Sequence, residues 1–212
     1  MPNDSLSRRE LLLSVPLVGA LGCSNAATEA LGFQPLFDGV GLAGWQGDES
    51  RWLVEAGTIV GRSPGIEYND FLATERSYGD FMLRFQIHLL NNSGNSGVQF
   101  RSERAPGDTE MIGYQADVGP QYWASLYDES RRRETLAAPD NETLERALKP
   151  NDWNEYEIHA QGPRIVLKLN GIPTVDYLET DAGIPLTGRI ALQIHSGPAM
   201  EVRYRDIQIR EL

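Results

Sequence analysis

The chain has 212 residues, of which 23% are charged and 41% apolar, a length and composition that suit one globular domain with a sizeable core. Its formal net charge of −11 argues against a nucleic-acid binder, which ordinarily carries a basic patch. With Cys23 as the sole cysteine, no disulfide forms within the chain and burial alone must hold the fold.

Residues 1–30 read as separate from the fold. Ser7-Arg8-Arg9-Glu10 precedes an apolar run from Leu11 to Leu21, interrupted by Pro16 and Gly19. That run is shorter than the ~20 residues a membrane-spanning helix takes. Charge, a short apolar stretch and small residues form the pattern of an export signal, and the paired arginines resemble a twin-arginine signal. Ala20-Leu21-Gly22 before Cys23 resembles a bacterial lipoprotein cleavage box. The expectation is a mature protein beginning at a lipidated Cys23, with Ser24 to Ala30 as a polar tether. Such a protein is exported to the periplasm or cell envelope and meets the membrane only through its anchor.

From Phe33 onward the chain reads as short strands and turns. Phe37-Asp38-Gly39 and Gly41 to Gly47 are turn-rich, Trp52 and Val54 alternate with Leu53 and Glu55, and Phe71 to Thr74 is a further candidate strand. Phe81, Leu83, Phe85, Ile87 and Leu89 alternate with Met82, Arg84, Gln86 and His88, the clearest period-two segment. Gly94-Asn95-Ser96-Gly97 reads as a tight turn, after which Val98 and Phe100 oppose Gln99 and Arg101. Ser102 to Gly113 is polar and is expected to be a loop. In the next strand Gln115 and Asp117 oppose Tyr114, Ala116 and Val118.

Gln121 to Leu148 is the least regular stretch, with room for a short helix at Glu142 to Leu148 between Pro139 and Pro150. Strands return at Asn154 to Ala160 and at Ile165 to Leu169. Asn170-Gly171 is a hairpin signal, and Pro173 marks its return strand, Ile172 to Tyr177, as an edge or a bulge. Gly188 to His195 and Met200 to Arg210 complete the chain, and in the former Gln193 and His195 oppose Ile190, Leu192 and Ile194. Short strands, Gly/Pro turns and almost no helical period predict an all-β, two-sheet antiparallel sandwich or jelly roll over residues 33–212.

Polar faces alone prove nothing, since every half-buried strand has one. Glu155, Glu157, Lys168, Arg203 and Arg205 read as ordinary solvated charges. The three strands carrying Gln99, Arg101, Gln115, Asp117, Gln193 and His195 offer planar amides and a guanidinium without one lysine. Paired donors and acceptors of that kind match sugar hydroxyls. These six are expected to share one cleft, provided the strands share a sheet. Asp128 and Glu129 are adjacent, so a regular strand would point them apart; they fit a loop that brings one carboxylate over a site, or a solvated turn. Trp123 could stack on a sugar, whereas Trp45, Trp52 and Trp153 read as packing residues. His88, His159 and the Arg131-Arg132-Arg133 run read as surface.

Several motifs recur in a familiar order: Phe37-Asp38-Gly39 with Gly44-Trp45, Tyr78-Gly79-Asp80-Phe81, Gly94-Asn95-Ser96-Gly97-Val98-Gln99-Phe100-Arg101, Gly113-Tyr114-Gln115, Leu126-Tyr127-Asp128-Glu129, Trp153-Asn154-Glu155-Tyr156, Leu169-Asn170-Gly171 and Gln193-Ile194-His195-Ser196-Gly197. As an ordered set they resemble the 3-keto-disaccharide hydrolase domain family from about Phe33 to Leu212. The resemblance implies a concanavalin A-like jelly roll acting on glycosides with a ketone at C3, with a small carbohydrate as partner. It also implies a divalent metal ion in some members, the one cofactor to consider here. Ser130 departs from the family pattern, which has glycine after the Asp-Glu pair.

A C3 ketone acidifies the C2 proton, and elimination then breaks the C1–O bond. That route needs a base, an oxyanion stabiliser and an acid for the leaving group. Asp117 or His195 is the expected base and Glu129 the expected acid. Arg101 or a metal is the expected stabiliser, with Gln99, Gln115, Tyr127, Gln193 and Trp123 binding substrate. A non-catalytic carbohydrate-binding module is the alternative, and a two-carboxylate glycosidase a weaker one, because Asp117 is the only carboxylate on the three polar faces.

Overall fold

The computed structural model describes residues 32–212; the expected export signal, tether and lipid site at Cys23 lie outside the described residues. In chain order the strands begin with β1 (Gln34–Pro35), β2 (Trp45–Gln46), β3 (Trp52–Glu55), β4 (Thr58–Ile66) and β5 (Asp70–Tyr78). They continue with β6 (Phe81–Leu89), β7 (Ser96–Arg104), β8 (Met111–Val118), β9 (Leu126–Glu129) and β10 (Glu134–Ala137). Helix α1 (Asn141–Ala147) leads to β11 (Asn154–Gln161), β12 (Arg164–Leu169), β13 (Ile172–Leu178), β14 (Gly188–Ile194) and β15 (Gly197–Glu211).

Two antiparallel sheets result. One has the order β13-β12-β11-β6-β15-β4-β3, with β1 pairing β15; the other runs β10-β9-β8-β7-β14-β5-β2. The alternating sequence of β6 dictates its place: Phe81, Leu83, Phe85, Ile87 and Leu89 are buried while the residues between them are half-buried. They pack with Val98, Phe100, Tyr114, Ala116, Leu192 and Ile194 from the seven-stranded sheet in one core. Phe81 meets Phe100 edge to face at 6.2 Å. Each such side chain contributes roughly 1.5–3 kcal/mol by leaving water, which is how a chain without disulfides holds two sheets together.

The turns follow local chemistry. Asn170 and Gly171 take φ of +50° and +79°, as a two-residue hairpin requires, and β13 is an edge strand, so Pro173 costs no ladder bond to a further neighbour. Asp140 caps α1 by accepting from the Thr143 amide at 2.7 Å, starting the helix one residue before the expected Glu142. The stretch expected to be irregular also contains β9 and β10. The expected Ser102–Gly113 loop is shorter, because β7 and β8 extend as a hairpin to Arg104 and Met111.

Two charge readings change. Arg131 and Arg132 are not a solvated run: they pair with Asp128, whose side chain is fully buried on the inward side of β9. Arg132 also meets Glu179, which accepts from the Tyr114 hydroxyl at 2.6 Å. Glu157 is likewise not free in solvent; it is buried between Arg84 and Lys168. Trp45 and Trp52 are core residues as expected, whereas Trp153 is half-buried with the Arg205 guanidinium 4.0 Å from its ring centroid.

Candidate functional site

The three polar faces lie on adjacent strands of one sheet, β8, β7 and β14. Register sets the layout. Ala73, Ala191, Gln99, Gln115 and Tyr127 form one row across β5, β14, β7, β8 and β9; Phe71, Gln193, Gly97 and Asp117 form the next. Neighbouring strands stand about 4.8 Å apart, so the rows gather these side chains on the face turned away from the main core. There Phe71, Ala73, Met111 and Ala191 form a second, small apolar cluster.

This face is outward but not open. Gln99 and Gln193 are 0% exposed, Gln115 2% and Asp117 4%. The β7–β8 hairpin folds back over it. Arg104 Nη2 donates to the Phe71 carbonyl at 3.3 Å, and Asn69 Nδ2 donates to Glu110 Oε2 at 3.1 Å. Met111, near the tip, is fully buried in the apolar cluster. The site therefore lies enclosed between sheet and hairpin.

Inside it the polar groups are ordered. Ser102 Oγ donates to Gln99 Oε1 at 2.7 Å, Gln99 Nε2 to Gln115 Oε1 at 2.9 Å, and Gln115 Nε2 to Asp117 Oδ1 at 2.6 Å. Burial raises the Asp117 carboxyl to about 7; the Gln115 donor opposes that shift and the nearby Glu129 charge adds to it. Burial likewise raises Glu129, helped by the Glu110 charge and opposed by His195 and by the Ser130 and Gln193 donors. Gln193 Nε2 stands 3.4 Å from Glu129 Oε2, while its buried Oε1 has no partner among the described residues. His195 Nδ1 lies 2.6 Å from the Ser196 carbonyl, which can only accept, so Nδ1 carries a hydrogen and, in the neutral ring, Nε2 holds the lone pair.

The structure thus brings together Gln99, Gln115, Asp117, Gln193 and, through the electrostatic contact with Glu129, His195. Tyr127 and Glu129 join them because β9 continues the sheet and places residues 127 and 129 on the same face as 113 and 115. Asp128 points the other way, as adjacent strand residues must.

Two expected site residues do not belong. Arg101 leaves the face because β7 is irregular there: its φ is +48° and the register with β8 shifts between Phe100 and Glu103. Its fully buried side chain donates to the Gly79 and Gly162 carbonyls at 3.0 and 2.7 Å and to Asp80 at 2.7 Å. It is a structural clamp between turns rather than an oxyanion stabiliser. Trp123 is 2% exposed in the main core, its indole N–H donating to Asn92 Oδ1 at 2.7 Å, so no ring face is left for a sugar. Conversely, Ser102, Asn69 and Glu110 belong to the site but were not evident in the sequence. Strand alternation gives no signal for side chains set by a bulge or carried on a folded-back hairpin.

Among the described residues no three His, Cys, Asp or Glu side chains are arranged to hold a metal ion. The divalent-metal expectation has no such ligand set here, and the chemistry below uses the chain's own groups.

Residues 32–210 match the family described as a 3-keto-alpha-glucoside-1,2-lyase-like domain. No curated protein sequence matches. Among solved structures, a glycosyl hydrolase-like protein from Parabacteroides distasonis shares 18% identity with a TM-score of 0.69, over 88% of this chain and 96% of that one. The carbohydrate-binding module CBM66 from Bacillus subtilis shares 18% identity with a TM-score of 0.62, over 79% and 96%. A Bacillus subtilis protein with a galectin-like fold shares 12% identity with a TM-score of 0.64, over 84% and 94%. At these identities the likeness is one of fold.

Proposed function

The chain belongs to the 3-keto-alpha-glucoside-1,2-lyase-like domain family, and from that premise we propose that it cleaves glycosides or disaccharides whose sugar carries a ketone at C3. The observation that carries this reading is Asp117, a buried carboxyl raised to about 7 and placed on a face lined with amides. A base poised near the working pH is what abstraction of a proton beside a ketone requires.

In this reading Asp117 takes the C2 proton, the C2–H electron pair forms a C2–C3 double bond, and the carbonyl π pair moves onto the C3 oxygen, giving an enediolate. Collapse of that enediolate forms the C1–C2 double bond and expels the C1 oxygen. Glu129, whose carboxyl burial raises, is the acid that gives a proton to that leaving oxygen. Water then adds across the double bond, hydroxyl to C1 and proton to C2, for net hydrolysis. The Gln193 amide, with an unused buried oxygen, orients a sugar hydroxyl, and Gln99 and Gln115 support Asp117. His195 Nε2 is the second candidate base.

The test is incubation of the domain with a 3-keto-disaccharide and with the parent disaccharide, with and without chelator, for the native chain and Asp117→Asn. Release of the aglycone from the keto sugar alone, lost in the variant, is expected. Cleavage of the parent sugar points instead to a two-carboxylate glycosidase using Asp117 and Glu129. Binding without turnover, little changed in the variant, points to a carbohydrate-binding module. Chelator-sensitive turnover brings a metal into the reaction.

For the segment before the domain, the proposal is an export signal ending in a lipidated Cys23 that tethers residues 33–212 in the cell envelope. Mass spectrometry of the native N-terminus tests it; an unmodified terminus downstream of Cys23 removes the anchor.

A further inference from the structure

The hydrogen bonds from Ser102 to Asp117 all run in one direction, and their four members are buried at 0–4% exposure. A buried primary amide can present either its oxygen or its nitrogen to a neighbour, and the two choices have opposite effects on a carboxyl. Nitrogen toward Asp117 favours the carboxylate; oxygen toward it demands a proton there. Gln115 cannot settle this alone, because its own orientation is fixed by what meets its oxygen. Gln99 supplies that donor, and Ser102 in turn supplies the donor that fixes Gln99. Ser102 is the only member whose hydrogen can rotate freely. Its hydroxyl also lies 2.9 Å from the Phe100 carbonyl, where it could donate while accepting from Gln99, reversing the whole chain.

We propose that Ser102, Gln99 and Gln115 are a positioning relay that holds the Gln115 N–H on Asp117 Oδ1, favouring its carboxylate and leaving Oδ2 for the substrate. Protonation of Asp117 at Oδ1 is accommodated by the reversed chain, with the Ser102 hydroxyl turned to Phe100. The relay rests on the reading of Asp117 as base but acts in the free protein.

Other ionisable groups also bear on the same site. Glu129 faces Asp117 from β9, together with Tyr127, and Tyr156 lies beneath on β11. Glu110 on the hairpin and His195 after β14 act on Glu129. Of the hydrogen bonds described here, that from Gln115 is the one that favours the Asp117 carboxylate, and it opposes burial and Glu129 alike.

The experiment is an NMR titration of the Asp117 carboxyl carbon in the substrate-free domain, assigned by its loss in Asp117→Asn. Native protein is compared with Ser102→Ala, which removes one oxygen, and Gln99→Met, which keeps the volume without the amide. Both are expected to raise the Asp117 midpoint by about half a pH unit or more, a ~3-fold change in ionisation constant. Both should also lose more thermal stability at pH 8 than at pH 5. An unmoved midpoint with an equal loss at both pH values makes these residues structural only and overturns the relay. Should Gln99→Met not fold, Ser102→Ala alone decides. Absence of turnover on keto sugars with the midpoint shifted sinks the functional reading and leaves the relay; normal turnover with an unmoved midpoint does the reverse.

Discussion

Gln115 lies across Gly97 on the neighbouring strand, so closely that a Cβ at position 97 would stand 2.7 Å from the Gln115 side-chain carbons. Gly97 occupies the row between Gln193 and Asp117, and its missing side chain is the seat in which Gln115 reaches Asp117. Gly97→Ala is therefore expected to push Gln115 off Asp117. A hydrogen bond to a charged group is worth about 1.5–3 kcal/mol, so turnover should fall ~10-fold or more. A crystal structure of the variant with Gln115 unmoved would count against this account.

Asp117 gives stability a pH dependence of defined sign. Its carboxyl is raised from 3.8 to about 7 in the folded chain, so the folded state binds the proton more tightly. The stability linked to that proton is complete below pH 3.8 and is lost as pH rises through about 7. Asp117→Asn removes the ionisation, so the melting temperature of the variant relative to native protein should climb between pH 4 and pH 8. A flat difference across that range would contradict the buried, desolvated carboxyl.

Glu179 has the opposite sign. Burial raises its carboxyl, but hydrogen bonds from Tyr114, the Asp181 amide and Arg132 outweigh burial and bring it down to about 2 from 4.5. Its contribution is complete above pH 4.5 and disappears as pH falls through about 2. Glu179→Gln should unfold more easily than native protein at pH 7, by urea titration, with the gap closing on acidification.

Arg101→Ala should behave as a folding defect. Its side chain is fully buried, and truncation strands the Gly79 and Gly162 carbonyls along with Asp80. Asp80 is 37% exposed and can turn to water, so the cost comes chiefly from the stranded carbonyls, about 1–3 kcal/mol each, to be read from urea unfolding. Activity per folded molecule should stay close to native; a selective loss of turnover at unchanged stability would return Arg101 to the site.

Ser130 occupies a left-handed position, φ +57°, directly after Glu129. That conformation costs an L-residue about 1–2 kcal/mol, partly offset by the chain entropy that glycine loses on folding. Ser130→Gly is expected to stabilise by about 0.5–1 kcal/mol, measured by thermal or urea unfolding.

Much of the architecture was legible because strand period and burial are local properties. The alternation of Phe81 to Leu89, the Asn170-Gly171 turn and the three strands opposing Gln99, Gln115 and Gln193 to apolar partners each specify a face without reference to the rest of the chain. Trp123 was misread because an aromatic in a polar loop looks the same whether its ring points out or in. Asp128 and Glu129 fit a loop or turn in sequence but lie on β9, and which carboxylate faces inward depends on what β9 pairs with.

By itself, then, the sequence determined a two-sheet sandwich and the face parity of Gln99, Gln115, Asp117 and Gln193, since a period of two fixes side-chain direction along any regular strand. Only the tertiary structure decided that β8, β7 and β14 are neighbours, because strand order comes from contacts between residues far apart in the chain. It also removed Arg101 and brought in Ser102, since one bulged residue reverses parity, and it added Asn69 and Glu110 by folding the β7–β8 hairpin over the face. The proton affinity of Asp117 belongs to that same level, because burial, and with it desolvation, exists only once sheet and hairpin have closed around the carboxyl.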